Sequence, residues 1–186
     1  MRYAADGADV SVIDPSADRL RLYRRHFAAR DVSANCLHAP LTHWPVGDDR
    51  TDVVVAVFNE RPAVGLAELA AEAFRTLRPG GKVIAVLPAW FNVARWQDLL
   101  MPWRTWFHGP APRDRFRAAE VRAAFAAFQT VKVYKRHLRR SELPYLWRWM
   151  LLPVLERVMG RFLVVKAFKP LDAARGVTPI ATPRAA

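Results

Sequence analysis

Short apolar segments alternate with amphipathic segments along the first half of the chain. Three segments rich in β-branched residues, at 10–13, 53–58 and 82–87, are predicted to be buried strands, because a strand covered on both faces is apolar throughout. Between them, residues 17–27 and 63–77 carry apolar side chains at helical spacing. The apolar face of the first of these helices is expected to consist of Leu20, Leu22, Tyr23 and Phe27. This alternation predicts a doubly wound α/β fold with a mostly parallel sheet.

Capping and turn residues mark the limits of the two predicted helices. Ser16 precedes the first helix, where its hydroxyl can accept a hydrogen bond from a free backbone N–H. The second helix is expected to end before Pro79, which cannot continue a helix. Gly80 and Gly81 follow and are expected to supply the positive φ angles that a sharp turn requires.

The second half of the chain predicts fewer regular elements. A helix is expected over 116–128, with Val121, Phe125 and Phe128 on one face, followed by a strand at 131–134 and a last strand at 162–168. The segment 141–160 predicts a helix that Pro153 kinks or breaks. The Pro- and Ala-rich tail 173–186 is expected to be disordered.

The composition is that of one globular domain. The chain has 186 residues, of which 52% are hydrophobic and 25% charged, enough to bury a sizeable core over residues 1–172. Its single cysteine, Cys36, predicts neither a disulfide partner nor a metal cluster and suits a reducing cytoplasm. The N-terminus carries no apolar signal region, and no apolar run reaches the length of a membrane span. We therefore expect a cytoplasmic protein.

The net charge of +12 arises entirely in the second half of the chain. Residues 1–98 hold 12 basic and 12 acidic side chains, whereas residues 99–186 hold 17 and 5. Such a surplus attracts phosphates, nucleic acids or anionic membranes. Arginine outnumbers lysine 24 to 5, which is also typical of a GC-rich genome, so the surplus has either a compositional or a functional origin.

The segments around the predicted turn resemble the class I S-adenosylmethionine-dependent methyltransferases. Leu77 to Lys82, reading LRPGGK, is similar to the "LKPGG" turn of that family, and DVVVAVF at 52–58 is similar to its fourth strand. DVSVID at 9–14 stands where the family's second strand ends in an acid. The resemblance covers about residues 9–90 and implies a Rossmann-like sheet in which strands 131–134 and 162–168 form an antiparallel pair at one edge.

The same resemblance implies S-adenosylmethionine as the cofactor. Its expected contacts follow the predicted strands and are Asp14, Pro15, Ala39, Pro40, Phe58 and Asn59. Asp14 would hold the ribose, because one carboxylate can accept both hydroxyls. Ala39 and Pro40 replace the family's adenine-contacting acid, so backbone amides would make that contact. Phe58 and Asn59 would lie beside the methionine end.

The sequence departs from the family pattern before its first predicted strand. The family's first strand ends in a glycine-rich loop, E-x-G-x-G-x-G, and no such motif occurs here. Met1–Ala8 instead resembles the end of the helix that follows this loop, with Gly7 as its cap. A start upstream of Met1 and a degenerate, non-catalytic protein are both open explanations. We expect residues 1–186 to bind the cofactor poorly or not at all, and an upstream-extended chain to bind it.

The implied function is methyl transfer to a small or lipid-like organic acceptor. Aromatic residues crowd segment 89–109, which is expected to cover the acceptor side of the cofactor or to pack in the core. Segment 141–160, basic and rich in Trp, predicts either packing on the sheet or peripheral contact with a membrane. A nucleic-acid partner is less expected, since the chain shows no recognisable binding module.

The sequence assigns no catalytic residue. Methyl transfer needs a general base only if the acceptor must lose a proton, and His43, His108 and His137 are the candidates. Two other functions stay open. One is a non-catalytic methyltransferase-like interaction module. The other is an NAD(P)-dependent oxidoreductase fragment, because an acid after a strand suits a dinucleotide ribose equally well.

Overall fold

The computed structural model describes residues 2–58, 64–92, 115–138 and 152–172, together with Trp106. They form two compact units, residues 1–47 and residues 48–186. In chain order the elements are α1 (Arg2–Ala5), β1 (Ser11–Asp14), α2 (Ala17–Ala28), β2 (Asn35–His38), β3 (Thr51–Val57), α3 (Leu66–Thr76), β4 (Leu77–Pro88), α4 (Ala118–Ala124), β5 (Gln129–Arg136), α5 (Leu152–Met159) and β6 (Phe162–Phe168). The predicted tail 173–186 and most of segment 141–160 lie outside the described residues.

The first unit is built on two parallel strands. β1 pairs with β2 from Ser11 opposite Asn35 to Asp14 opposite His38. The preceding α1 ends at Ala5, and Gly7 follows with a φ of 85°, the left-handed conformation of a glycine that caps a helix, while its N–H donates to Ala4 O at 3.2 Å. This confirms the predicted cap.

Helix α2 begins after Ser16, as predicted. The Arg19 backbone N–H donates a hydrogen bond to Ser16 Oγ at 3.4 Å. Leu20 and Phe27 are buried, but Leu22 is 51% exposed, so the prediction that Leu22 joins the apolar face is wrong. Two positions along a helix correspond to about 200° of rotation, which turns Leu22 away from the side that Leu20 buries.

The second unit contains a four-stranded sheet in the order β3-β4-β6-β5. β3 and β4 are parallel, whereas β6 runs antiparallel to both β4 and β5. The predicted antiparallel pair at one edge is therefore confirmed. Among the described strands, β1 pairs with β2 alone and β3 with β4 alone.

The core of the second unit lies on one face of this sheet. Every second residue of β4 and β6 is almost completely buried, namely Val83, Ala85, Leu87, Leu163, Val165 and Ala167. Leu69 of α3 joins the core, as do Phe125 and Phe128, which lie between α4 and β5, and Phe128 meets Phe74 edge to face at 5.2 Å. Within the described residues, no helix is long and apolar enough to cross a membrane.

Helix α4 is shorter than the predicted 116–128. Phe116 forms a β-bridge with Ala89 instead of entering the helix. Its N–H donates to Pro88 O at 2.9 Å, and its carbonyl oxygen accepts from Trp90 N–H at 2.8 Å. Because these backbone groups are already bonded to the end of β4, the helix begins only after Arg117.

The predicted Pro-Gly-Gly turn is a bulge inside β4. Thr51 pairs with Leu77 and Val53 with Lys82, so β4 has three more residues than β3 over this interval. Gly80 has a φ of 77°, as predicted, but Gly81 does not, and that part of the prediction is wrong. Gly81 is required for another reason, because a Cβ there would lie 2.8 Å from the Arg78 carbonyl oxygen.

Gly81→Ala is therefore expected to destabilise the protein by about 1–3 kcal/mol, since the added methyl would force backbone atoms apart. Gly65→Ala is the matched control, because a Cβ at Gly65 would approach Glu68 side-chain atoms no closer than 3.8 Å. Urea unfolding monitored by circular dichroism measures both. Equal losses in the two variants would contradict the close approach at Gly81.

Candidate functional site

Asp14 lies at the carboxyl end of β1, and its side chain is 13% exposed. Its Oδ1 accepts the Ser16 backbone N–H at 2.8 Å, and Arg19 Nε lies 3.0 Å from each carboxylate oxygen. These contacts fix the orientation of the carboxylate. A carboxylate has about four lone-pair positions, so Asp14 retains the capacity to accept further hydrogen bonds.

The loops that follow β1 and β2 lie side by side. Asp14 is opposite His38 in the strand register, and His38 Nε2 lies 3.0 Å from the Pro15 carbonyl oxygen. Ala39, which is buried, and Pro40, which is exposed, follow directly. The structure thus brings together four predicted cofactor contacts, Asp14, Pro15, Ala39 and Pro40. The sequence reasoning missed His38, which joins the two loops.

Phe58 belongs to the second unit and directly follows β3. Its backbone N–H donates to Val86 O at 2.9 Å, which extends the parallel pairing by one residue and leaves the side chain half-buried. Asn59 lies outside the described residues.

The segment that follows β4 carries two stacked aromatic side chains. The rings of Trp90 and Phe91, here called the aromatic wall, lie 6.3 Å apart at an interplanar angle of 28°. The Arg117 guanidinium lies 4.6 Å from the centre of the Trp90 ring. Asn92 is buried, and its Nδ2 donates to Ala89 O at 2.8 Å. Trp106, in the same aromatic-rich segment of the sequence, is 88% exposed.

The three histidines predicted as general-base candidates differ in their surroundings. His43 is exposed, and His108 lies outside the described residues. His137 follows β5 with a φ of 67°, and its backbone N–H donates to Glu156 Oε1 at 2.8 Å. In the described part of the chain, no group of His, Cys, Asp and Glu side chains could hold a metal ion.

The sequence reasoning did not identify two lysines whose ammonium groups donate several hydrogen bonds to other protein atoms. Lys169 is buried beside Asp49, and Lys135 Nζ donates to two backbone carbonyls. A sequence signal did exist for Lys135, because period-two alternation along β5 places it on the same face as Val131 and Val133.

Comparisons with known proteins point to one family. Residues 1–81 match a family model described as a methyltransferase domain. A demethylmenaquinone methyltransferase from Clavibacter sepedonicus is 38% identical over 85 residues, which cover 44% of this chain and 33% of that protein. The chain therefore spans about a third of the length of this curated relative.

Solved structures show the same architecture over most of the chain. A SAM-dependent methyltransferase from Methanosarcina mazei superposes with a TM-score of 0.59 at 16% identity, covering 91% of this chain and 86% of that one. A geranyl diphosphate methyltransferase in complex with SAM gives a TM-score of 0.57 at 17% identity, with coverages of 88% and 69%. At these identities the likeness shows the fold.

Proposed function

We propose that this chain, which carries a class I S-adenosylmethionine-dependent methyltransferase domain, transfers a methyl group to a small or lipid-like organic acceptor. The observation that carries the proposal is Asp14, an oriented carboxylate at the carboxyl end of β1. It lies within the residues that match the methyltransferase family model.

The first unit fits the ribose and adenine of S-adenosylmethionine. The Asp14 carboxylate, held by Ser16 and Arg19, can accept the ribose hydroxyls. The adjacent loop at Ala39 and Pro40 supports contact with the adenine. Phe58 and Asn59 are proposed for the methionine end. When bound, the cofactor supplies an electrophilic methyl group on its sulfonium.

The aromatic wall supports an acceptor with an apolar part. Trp90 and Phe91 lie two and three residues after the end of β4, and ligands of open α/β sheets bind outside the carboxyl ends of the strands. In-line methyl transfer depends mainly on positioning the acceptor and excluding water, which rigid aromatic side chains favour. The relatives named for demethylmenaquinone and geranyl diphosphate are consistent with this class of acceptor.

Peripheral membrane contact through 141–160 is a second part of the proposal. Within the described end of this segment, Val154 and Val158 are 54% and 47% exposed and lie one helical turn apart on α5. Arg157 is exposed beside them. Exposed apolar side chains next to an arginine suit the boundary between lipid headgroups and acyl chains. Sedimentation with anionic liposomes, run beside RNA and DNA filter binding over a salt series, distinguishes this surface from a nucleic-acid site.

A transfer assay tests the activity. The full chain is incubated with methyl-labelled S-adenosylmethionine and either short-chain demethylmenaquinone or geranyl diphosphate, and label is counted in the organic extract. Transfer supports the proposal. Cofactor binding without transfer favours the non-catalytic interaction module, whereas binding of NADH in preference to S-adenosylmethionine favours the oxidoreductase.

Asp14→Asn is expected to weaken S-adenosylmethionine binding by about 1–3 kcal/mol, because an amide removes the charge-assisted acceptor of the ribose hydroxyls. Asp18→Asn is the control, since the Asp18 side chain is 85% exposed and contacts Arg21 on the helix surface. Because the sequence has no glycine-rich motif, we expect weak binding. Saturation-transfer NMR is suitable because it measures dissociation constants in the millimolar range. The proposed ribose contact is wrong if both variants bind equally well.

A further inference from the structure

Lys135 lies on the covered face of the second unit's sheet, at the edge where β4 ends. It is opposite Leu163 in β6, and Leu163 is opposite Leu87 in β4. Residues opposite one another in a sheet share a face, so Lys135 lies on the same face as the buried Leu87 and Leu163. The charged group of Lys135 reaches backbone atoms that lie outside the sheet.

The charged group of Lys135 is held by two backbone carbonyls. Its Nζ donates to Phe91 O at 2.9 Å and to Val158 O at 2.7 Å, and it lies 5.1 Å from the centre of the Phe91 ring. Within the described residues, Lys135 forms no ion pair. Desolvation lowers the pKa of Lys135 below its usual value.

These contacts join two segments that are distant in the sequence. Phe91 lies in the turn that leaves β4, and Val158 lies in the last turn of α5. Loss of the lysine would leave the partly buried Phe91 carbonyl without this donor, whereas the contact with Val158 is exposed and water could replace it. Arg117 contacts the ring of Trp90, so each ring of the aromatic wall has a cation close to it.

We propose that Lys135 is a positioning residue, which fixes the aromatic wall in the orientation against which the methyl acceptor packs. This inference rests on the proposed function, because it assigns the acceptor to that wall. Misplacing an acceptor by about 1 Å can slow a transfer reaction about 100-fold. The contact between Lys135 and the aromatic wall would therefore affect the rate of transfer without contacting the cofactor.

The test compares Lys135→Met, Lys135→Arg and the control Lys132→Met. Methionine keeps most of the side-chain volume but donates no hydrogen bond, whereas arginine retains the charge and the donors. Lys132 lies on the same strand but is exposed, on the opposite face. The first measurement requires no acceptor: 4-fluorophenylalanine is placed at position 91, and its ¹⁹F resonance is recorded in each variant.

We expect Lys135→Met to shift and broaden this resonance, Lys135→Arg to restore much of it, and Lys132→Met to leave it unchanged. The second measurement is transfer to short-chain demethylmenaquinone. Lys135→Met is expected to lower kcat/KM for this acceptor at least 10-fold while the dissociation constant for S-adenosylmethionine stays within twofold.

An unchanged resonance in Lys135→Met would show that Lys135 does not fix the orientation of Phe91. A shifted resonance with unchanged acceptor kinetics would overturn its role in positioning the acceptor. If the unmodified chain transfers label to no acceptor although the resonance moves in Lys135→Met, the proposed function fails and the acceptor role fails with it, while the contact between Lys135 and Phe91 stands.

Discussion

Replacing Lys169 with methionine is expected to lower the free energy of unfolding by about 2–4 kcal/mol. The side chain is 7% exposed, and its Nζ donates to Phe74 O at 2.8 Å, to Leu77 O at 2.7 Å and to Asp49 Oδ1 at 2.6 Å. The two carbonyls lie at the end of α3 and the start of β4. Methionine would bury them without a donor, at about 1–3 kcal/mol for each.

Two further variants separate the contributions to this contact. Lys166→Met is the control three residues earlier, on β6, because Lys166 is only half-buried and its Nζ lies 5.3 Å from the centre of the Phe168 ring. We expect it to change stability by less than about 0.5 kcal/mol. Asp49→Asn removes only a half-exposed charge and should cost at most about 1 kcal/mol. If Asp49→Asn is as damaging as Lys169→Met in urea unfolding, the ion pair rather than the carbonyls determines the stability.

The strands of the second unit could be predicted because their pattern is local. Predicted strands at 53–58, 82–87 and 162–168 correspond to Thr51–Val57, Leu77–Pro88 and Phe162–Phe168. Burial on one face and partial cover on the other favour apolar residues at most positions of β4 and β6. The predicted burial of β3 is wrong, because Val55 and Val57 are 50% and 61% exposed. The prediction failed at Gly81, because its requirement comes from the Arg78 carbonyl in the bulge of β4 and from the Asp52 carbonyl of the neighbouring strand.

The position at which a helix or strand ends depends on contacts with residues that are distant in the sequence, and the local hydrophobic pattern does not include them. The spacing of Val121 and Phe125 correctly predicted a helix and its buried side. The start of that helix was wrong because Phe116 pairs with Ala89, which is 27 positions earlier in the chain. A β-bridge of this kind leaves no trace in hydrophobic periodicity, so the predicted helix extended too far toward its N-terminus.

The candidate site was predictable in position but not in its contacts. The acid at the end of β1 and the capping Ser16 follow from the order DVSVIDPS in the sequence. The contact between His38 and Pro15 depends on the register between β1 and β2, which no single segment specifies. Lys135 likewise bonds Phe91 and Val158, at separations of 44 and 23 residues. Period two predicts its face, while only the folded chain determines its partners.

Helix α2 offers a matched pair for the last prediction. Leu20 is 2% exposed and Leu22 is 51% exposed, although both belong to the same helix and have the same side chain. Leu20→Ala is expected to cost about 2–4 kcal/mol, because it removes buried methyl groups and leaves a cavity. Leu22→Ala should change stability by less than about 0.5 kcal/mol, since that side chain is largely in contact with water.

The same pair tests whether the first unit supports the proposed cofactor contact. α2 begins directly after Ser16, whose N–H bonds Asp14, and Arg19 on this helix contacts the same carboxylate. Loosening the helix through Leu20→Ala should therefore weaken S-adenosylmethionine binding as well as stability, whereas Leu22→Ala should change neither. Urea unfolding and saturation-transfer NMR on both variants provide the comparison. Similar losses of stability in the two variants would mean that Leu20 is not packed as the structure shows. If Leu20→Ala is destabilised but binds the cofactor as before, the Asp14 carboxylate does not depend on α2 for its position.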